Sequence, residues 1–299
     1  DLIDDLLADY ERHIHENLVL HPKPLPVGKR ATFTAADIVR DPETRATLDA
    51  IPYAQTLCRL GFVAQHTRPD ISEAVSLLQG FLTTYSGKMI KALEHLLGYV
   101  KQTRHFRLEY HVDGSFLAYA CSDASWAADQ IDRRSRSGII VFVFGMAVYW
   151  SSRKQTAVTI SSFEGETVSF TDTSKEVLWL RRVLEFLGFD ISLPTPIIID
   201  NAATEAFATT AQVTSRTKHI DIKHFFNKQH VLNGDIVPVH APTTDEIADI
   251  LTKLPGPLFD KFRDQLLGHQ PKTNLNQYLQ QWLRKFSQQQ RLVATKGLT

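Results

Sequence analysis

The sequence predicts an α/β protein: a mixed sheet flanked by helices, preceded by a smaller, mainly helical region. Three observations carry that expectation. Apolar residues recur at helical spacing through the first third of the chain, then give way to short strand-like runs after Phe106. From there the order is three antiparallel strands, a helix, a strand, helices, a strand and a helix, a mixed layer and not a barrel or a bundle. Acidic residues stand at the ends of two apolar runs, where open α/β sheets present their ligand crevice.

Residues 1–20 read as a helix with Leu2, Leu6, Tyr10 and Ile14 on one face. Three prolines make 21–28 a linker. Residues 43–104 read as mainly helical. Pro69 suits a first helical position, Ile71, Val75, Leu78 and Leu82 follow at helical spacing, and a further helix runs from Met89 to Val100. Phe106 to Ser151 reads as strands, with a hairpin turn at Gly145-Met146 between 139–144 and 147–150. A long helix over roughly 163–187 ends at Gly188 as its C-cap. Strand 196–200, a short helix 202–208, a helix near 220–232 and strand 236–240 follow. A helix over 244–254 closes the unit, with Thr243 and Glu246 as its capping box. The Gln-rich tail from Pro257 is anchored by Leu266, Leu267, Leu279 and Trp282. It predicts one or two loosely docked helices and disorder after about Arg291.

Charge is balanced at 33 basic and 33 acidic residues, which excludes a generic polycation, so any nucleic-acid affinity must come from local patches. The only two cysteines, Cys58 and Cys121, sit among apolar residues and read as small core side chains. No disulfide framework or cysteine zinc site follows, which fits a reducing compartment. No run approaches the roughly 18 apolar residues of a membrane span. The opening Asp-Leu-Ile-Asp-Asp is too acidic for a secretory signal, and the missing initial Met suggests a piece of something longer.

Four acids carry the chemistry. Asp123 and Asp200 end apolar runs, Glu166 opens the long helix, and Asp249 lies in the closing helical segment. From Glu166, steps of three or four reach Phe170, Val177, Leu180, Leu184 and Leu187, the apolar face. From Glu164 they reach Val168, Asp172 and Lys175, so Glu164 faces water or complements the helix N-terminus. Carboxylates converging in one crevice call for cations. Two Mg²⁺ ions about 3.5–4 Å apart suit in-line attack of water on a phosphodiester, so the acids point to a metal-dependent nuclease. The competing bland roles are a salt bridge for Glu166, an N-cap for Asp200, a turn for Asp123 and a dipole partner for Asp245, one helical turn before Asp249. Arg133, Arg134, Arg136, Arg153, Lys154, Arg216, Lys218 and Lys223, interleaved with Ser, Thr and His, have the character of phosphate-contacting loops. Arg181 and Arg182 read as solvated surface. His219, Asp221 and His224 match no zinc spacing.

Several ordered blocks resemble the C-terminal end of the Pol polyprotein of Ty1/copia-type LTR retrotransposons. They are Thr67-Arg-Pro-Asp-Ile-Ser72, Cys121-Ser-Asp-Ala-Ser-Trp-Ala127, Asp132-Arg-Arg-Ser-Arg-Ser-Gly138, Tyr149-Trp-Ser-Ser-Arg-Lys-Gln155 and Ser161-Ser-Phe-Glu-Gly-Glu166. Lys175-Glu-Val-Leu-Trp-Leu-Arg-Arg182, Asp200-Asn201, Ser215-Arg-Thr-Lys-His-Ile-Asp221 and Ala248-Asp-Ile-Leu-Thr-Lys253 complete the set, which spans roughly residues 50–255. The resemblance implies an RNase H-like five-stranded fold over 105–256 and a reverse-transcriptase thumb and connection region over 1–104; of the tail over 257–299, the part beyond about residue 268 is not covered by it. It places the family's metal-binding acids on Asp123, Glu166, Asp200 and Asp249, holding two Mg²⁺ ions (or Mn²⁺ in their stead). It implies hydrolysis of the RNA strand of an RNA/DNA hybrid, recognised by backbone, groove shape and 2′-OH. The implied partner is the polymerase part of a reverse transcriptase, and no membrane is involved. The implied location is intracellular, in a cytoplasmic virus-like particle or the nucleus. His240, nine residues before Asp249, lies near where some RNases H carry a loop His, and competes with a plain strand-end role. Departures from the family are Ser125 for Asp, Ala128 for Gly, Gly165 for Ala and Thr167 for Tyr; none removes an expected ligand. The polymerase palm is absent, and Leu2-Ile-Asp-Asp-Leu6 reads as thumb helix, so the chain is not expected to polymerise. Two other readings stay open: an inactive or domesticated nucleic-acid-binding remnant, and a transposase or integrase of the same acidic-cluster fold.

Overall fold

The computed structural model describes residues 1–26, 32–111, 116–202, 204 and 221–296. Within them one five-stranded sheet forms from β1 (Ala118–Ser125), β2 (Arg136–Val143), β3 (Met146–Lys154), β4 (Thr195–Ile199) and β5 (Ile236–His240). The order is β3-β2-β1-β4-β5. The first three strands are antiparallel neighbours, and β4 runs parallel to both β1 and β5. This is the mixed RNase H-like sheet that the sequence leads one to expect.

The apolar runs of β1 and β4 are continuous because both faces of the sheet are covered, as parallel strands require. Ala120, Ile197 and Ile199 point to one face, where α6 (Ser162–Phe186) brings Phe170 and Val177. Tyr119, Cys121 and Ile198 point to the other, into a core shared with the N-terminal helices. Those helices are α1 (Leu2–Ile14), α2 (Pro42–Leu48), α3 (Tyr53–His66), α4 (Ser72–Gln79) and α5 (Gly87–Gln102). Trp150 Nε1 of β3 donates to the Ala64 carbonyl at 2.7 Å and fixes α3 to the sheet. Beyond β4 come α7 (Asp221–Leu232), α8 (Phe259–Leu267) and α9 (Thr273–Lys296). No helix of the described residues is long and apolar enough to cross a membrane.

Several expectations need correction. The first helix stops at Ile14 because His15 turns left-handed, with φ 56°. The first strand begins at Ala118, well after Phe106. Helix α4 ends at Gln79, before Leu82. The hairpin turns at Phe144-Gly145, one residue earlier than expected, since both residues carry the positive φ (50° and 77°) that a two-residue turn demands. The closing helix is instead two 3-10 turns, Thr243–Asp245 and Ile247–Leu251, because Glu246 is extended (φ −78°, ψ 95°) and interrupts the helical run. Its side chain caps the second turn alone, accepting from Ala248 N at 3.1 Å. Cys58 is exposed while Cys121 is buried. Arg181 is buried, donating to the carbonyls of Ile191 and Leu193 and to Thr195 Oγ1 at 2.8–2.9 Å, so it ties the α6–β4 connection together. Only Arg182 is exposed.

The tail is firmly docked. Phe259, Phe262, Leu266, Leu275 and Leu279 are buried in the shared core, and α9 continues to Lys296, past the expected end of order at Arg291. Asp245 is not a helix-dipole residue: it accepts from Lys261 Nζ (2.8 Å), Asn274 Nδ2 (2.7 Å) and Tyr278 OH (2.9 Å), which fastens the tail to the first 3-10 turn. Most of the expected 202–208 helix lies outside the described residues.

The Thr67–Ser72 block proves structural. Arg68 donates to both carboxylate oxygens of Asp70 at 2.8 Å and to the carbonyl and hydroxyl of Thr103, while Tyr99 OH donates to Asp70 at 2.7 Å. Burial works to raise the Asp70 carboxyl, but Arg68 and Tyr99 overcome it and hold it below the usual range. Asp70→Asn strands a buried guanidinium and is expected to cost about 3–5 kcal/mol by urea unfolding. Gly138 of β2 allows a second close approach. A Cβ there would lie 2.7 Å from Thr252 Cγ2 and 2.9 Å from the Ala248 carbonyl oxygen. Gly138→Ala is therefore expected to lose about 1–3 kcal/mol in the same assay, because the Ile247–Leu251 turn must move off the sheet.

Candidate active site

Parallel pairing of β1 with β4 brings their C-terminal ends side by side, Asp123 within β1 and Asp200 just past Ile199. The Ile247–Leu251 turn rests on β2 at Gly138, the register partner of Asp123, and carries Asp249 to the same place. Carboxylate oxygens of Asp123, Asp200 and Asp249 all lie within 4.8 Å of one another. Glu166 joins them from α6, accepting from Ala124 N at 3.3 Å. The choice between the two helix-start glutamates is settled by capping. Ser161 Oγ accepts from Glu164 N, and Glu164 Oε2 accepts from Ile160 N at 2.7 Å, so Glu164 closes the helix end while Glu166 faces the sheet.

Hydroxyls and one ammonium hold the acids. Thr252 Oγ1 donates to Asp123 Oδ2 in a very short bond, and Thr243 Oγ1 donates to Asp200 Oδ2 at 2.8 Å. Ser169 Oγ donates to the Asp123 carbonyl at 2.8 Å. Lys253 Nζ donates to Asp249 Oδ1 at 2.5 Å and lies 3.9 Å from Asp123 Oδ1. Thr252 and Lys253 belong to the Ala248–Lys253 block, but nothing in the local sequence marks these side chains as partners of the acids. Burial, then the Asp249 charge, pushes Asp123 up to about 7, against the pull of Lys253 and Thr252. Burial, then the charges of Asp123 and Asp200, pushes Glu166 up to about 9. Asp249 is raised by burial, opposed by Lys253. A fifth carboxyl, Glu246, is fully buried beside them. Burial and the Asp123 charge raise its pKa well above the ordinary carboxylate value. The cluster thus concentrates hard oxygen donors whose shared charge can be relieved by protons or cations.

The basic residues divide. Arg133 and Arg153 are exposed, Arg153 donating to Tyr149 OH at 2.9 Å. Lys154 bonds to Asp129 (2.8 Å) and Asp132 (3.0 Å), and Arg134 Nε lies 3.6 Å from Asp132. Arg136 corrects its expected role in contacting phosphate. It is buried, donates to Ser76 Oγ (2.7 Å) and Ser152 Oγ (3.2 Å), and faces Glu73 at 4.0 Å, which pins α4 to the sheet. Arg216, Lys218 and His219 lie outside the described residues, as do the side chains of Asp221, Lys223 and His224. His240 is the exposed last residue of β5, in register with Ile199 and so next to the strand end that bears Asp200. Of the departures, Thr167 Oγ1 donates within its helix to the Phe163 carbonyl, and the Gly165 carbonyl accepts from Gln155 Nε2; neither disturbs the acids.

No protein-family model matches the chain. It is 32% identical over 228 residues to the retrovirus-related Pol polyprotein from transposon RE1 of Arabidopsis thaliana, covering 76% of this chain and 15% of that one. The polyprotein from transposon RE2 of the same plant is 32% identical over 231 residues, covering 77% and 15%. That from transposon TNT 1-94 of Nicotiana tabacum is 28% identical over 212 residues, covering 71% and 16%. The chain therefore spans about 15% of the length of these curated relatives. Among solved structures, RNase H1 of Halobacterium salinarum aligns with 45% of this chain and 93% of its own, at 14% identity and a TM-score of 0.33. At 32% identity over three quarters of its length, the chain belongs to the retrovirus-related Pol polyproteins of Ty1/copia-type transposons.

Proposed function

We propose that this chain hydrolyses the RNA strand of RNA/DNA hybrids as the ribonuclease H part of a retrotransposon reverse transcriptase, with two Mg²⁺ ions or Mn²⁺ in their place. The observation that carries the reading is the convergence of Asp123, Asp200 and Asp249 within 4.8 Å, with Glu166 beside them. The donor set fits the metal: carboxylate oxygens are what Mg²⁺ and Mn²⁺ take, and a crevice that raises its own carboxyl pKa values gains from added positive charge. Asp123, Glu166, Asp200 and Asp249 would hold the ions. Such ions, when bound, activate a water nucleophile and stabilise the leaving oxygen of an in-line phosphodiester displacement.

The protein's own part is to hold the acids in place. Thr252, Ser169 and Thr243 fix Asp123 and Asp200 by hydrogen bonds, and the Gly138 contact sets the depth of the turn that bears Asp249. Exposed Arg133 and Arg153 are suited to phosphate contacts that position a duplex without reading its sequence. We assign residues 1–104 to a thumb and connection region, 105–256 to the ribonuclease H unit and 257–299 to a tail. The polymerase part of the same polyprotein is the expected partner. Asp4 and Asp5 stand exposed in α1, in a helix and not at a strand end, so no polymerisation is expected from this chain.

The test is cleavage of a labelled RNA/DNA hybrid by the purified chain. Only the RNA strand should be cut, EDTA should abolish cutting, and Asp200→Asn should lower the rate by more than about a hundredfold, since misplacing catalytic groups by an ångström can cost that much. Tight hybrid binding with no cutting in either metal would point to a non-catalytic remnant. The pH dependence of stability offers a second check. Asp123 and Glu166 have raised folded pKa values, so their contribution is full below the ordinary carboxylate range and is lost as pH rises through about 7 and then about 9. Melting temperature in EDTA should therefore fall from about pH 4 to about pH 9, with the Asp123 part complete near 7 and the Glu166 part near 9, and saturating Mg²⁺ should flatten the fall. A flat profile in EDTA would count against the repelling cluster.

A further inference from the structure

Lys253 is placed where a divalent ion would compete with it. Its ammonium takes one oxygen of Asp249 at 2.5 Å and faces one of Asp123 at 3.9 Å, and both aspartates belong to the group whose oxygens lie within 4.8 Å of one another. An exposed ion pair of this kind would count for little. Here the carboxylate sides are 1% and 13% exposed, while the lysine side chain keeps 42% of its surface in solvent. The anions are thus fixed and desolvated, and the cation is a compact point charge on a four-carbon stem free to swing.

The surroundings give the displaced ammonium somewhere to go. Lys253 also lines a cleft of about 320 Å³ between the N-terminal helices and the sheet, together with Ser125, Asp129, Arg134 and Thr252. Thr252, next in the chain, holds Asp123 on the oxygen that Lys253 does not face, so the lysine can leave while Asp123 stays positioned.

Resting on the two-ion reading above, we propose that Lys253 is a tethered competitor of the metal. Its ammonium neutralises Asp249 and Asp123 between turnovers, and it must move off Asp249 before a divalent cation can bind there. The lysine would hold the acids together without metal at the cost of weaker metal binding.

The deciding experiment is calorimetric titration of the full chain with Mg²⁺ and with Mn²⁺, alongside Lys253→Met, which keeps the stem and removes the charge, and Lys253→Arg, which keeps a charge. Lys253→Met should bind the ions on the order of tenfold more tightly, melt lower than the parent chain in EDTA and recover when metal is added. Lys253→Arg should stay near the parent. If Lys253→Met cannot be obtained folded, Lys253→Gln, also neutral, takes its place in the same titration. Unchanged or weaker metal binding by the neutral variant, in a parent that does bind metal, would overturn the inference and leave the two-ion reading standing. A parent that takes up neither ion would overturn that reading, and this inference with it.

Discussion

Coverage of the sheet on both faces is the constraint on which the rest depends. β1 lies in the middle of the sheet, with α6 on one face and the core of the N-terminal helices on the other. Water reaches such a strand only at its ends. An acid placed within the last residues of β1 is therefore cut off from solvent yet open to the crevice beyond β1 and β4. Asp123 meets that description at 1% exposed. Its desolvation raises its pKa and makes a neighbouring cation favourable, so the same burial that builds the core creates the demand for charge at its rim.

Much of this was legible in the sequence for physical reasons. Three isoleucines before Asp200 mark a strand buried on both faces, and the 3.6-residue period separates Glu166 from Glu164 as well as the coordinates do. Gly188 ended its helix as expected, at positive φ. What failed was information that comes from tertiary contact. Helical periodicity over 244–254 could not reveal that Glu246 would be extended and buried, splitting one helix into two tighter turns. Arg136 and Arg181 looked like surface cations because nothing local announces the carbonyls and hydroxyls that receive them. Cys58 looked like core because its neighbours are apolar, yet it sits on the outer face of α3.

The same distinction sorts the family's blocks. Asp123, Glu166, Asp200 and Asp249 meet in one crevice, whereas the Arg68–Asp70 pair and Arg136 sit in structural joints. Arg68, Asp70, Tyr99 and Thr103 link the start of α4 to the end of α5, and Arg136 links α4 to the sheet. A block can thus recur because it chemically equips the crevice or because it locks the helices against the sheet that bears it. Sequence alone does not separate the two, because both demand charged residues at fixed spacing.

The tethering of Asp245 bears on where this protein can be divided. Three groups from beyond residue 256 reach back to it: Lys261, Asn274 and Tyr278. The turn it belongs to, Thr243–Asp245, also supplies the hydroxyl that holds Asp200. The tail is therefore mechanically in series with the acid cluster, two bonds removed from one of its carboxylates. A boundary drawn at the end of the matched blocks would leave Asp245 buried without its partners and the Asp200 hydroxyl on a loosened turn. The smallest piece that keeps this crevice in shape is longer than the piece that contains its acids.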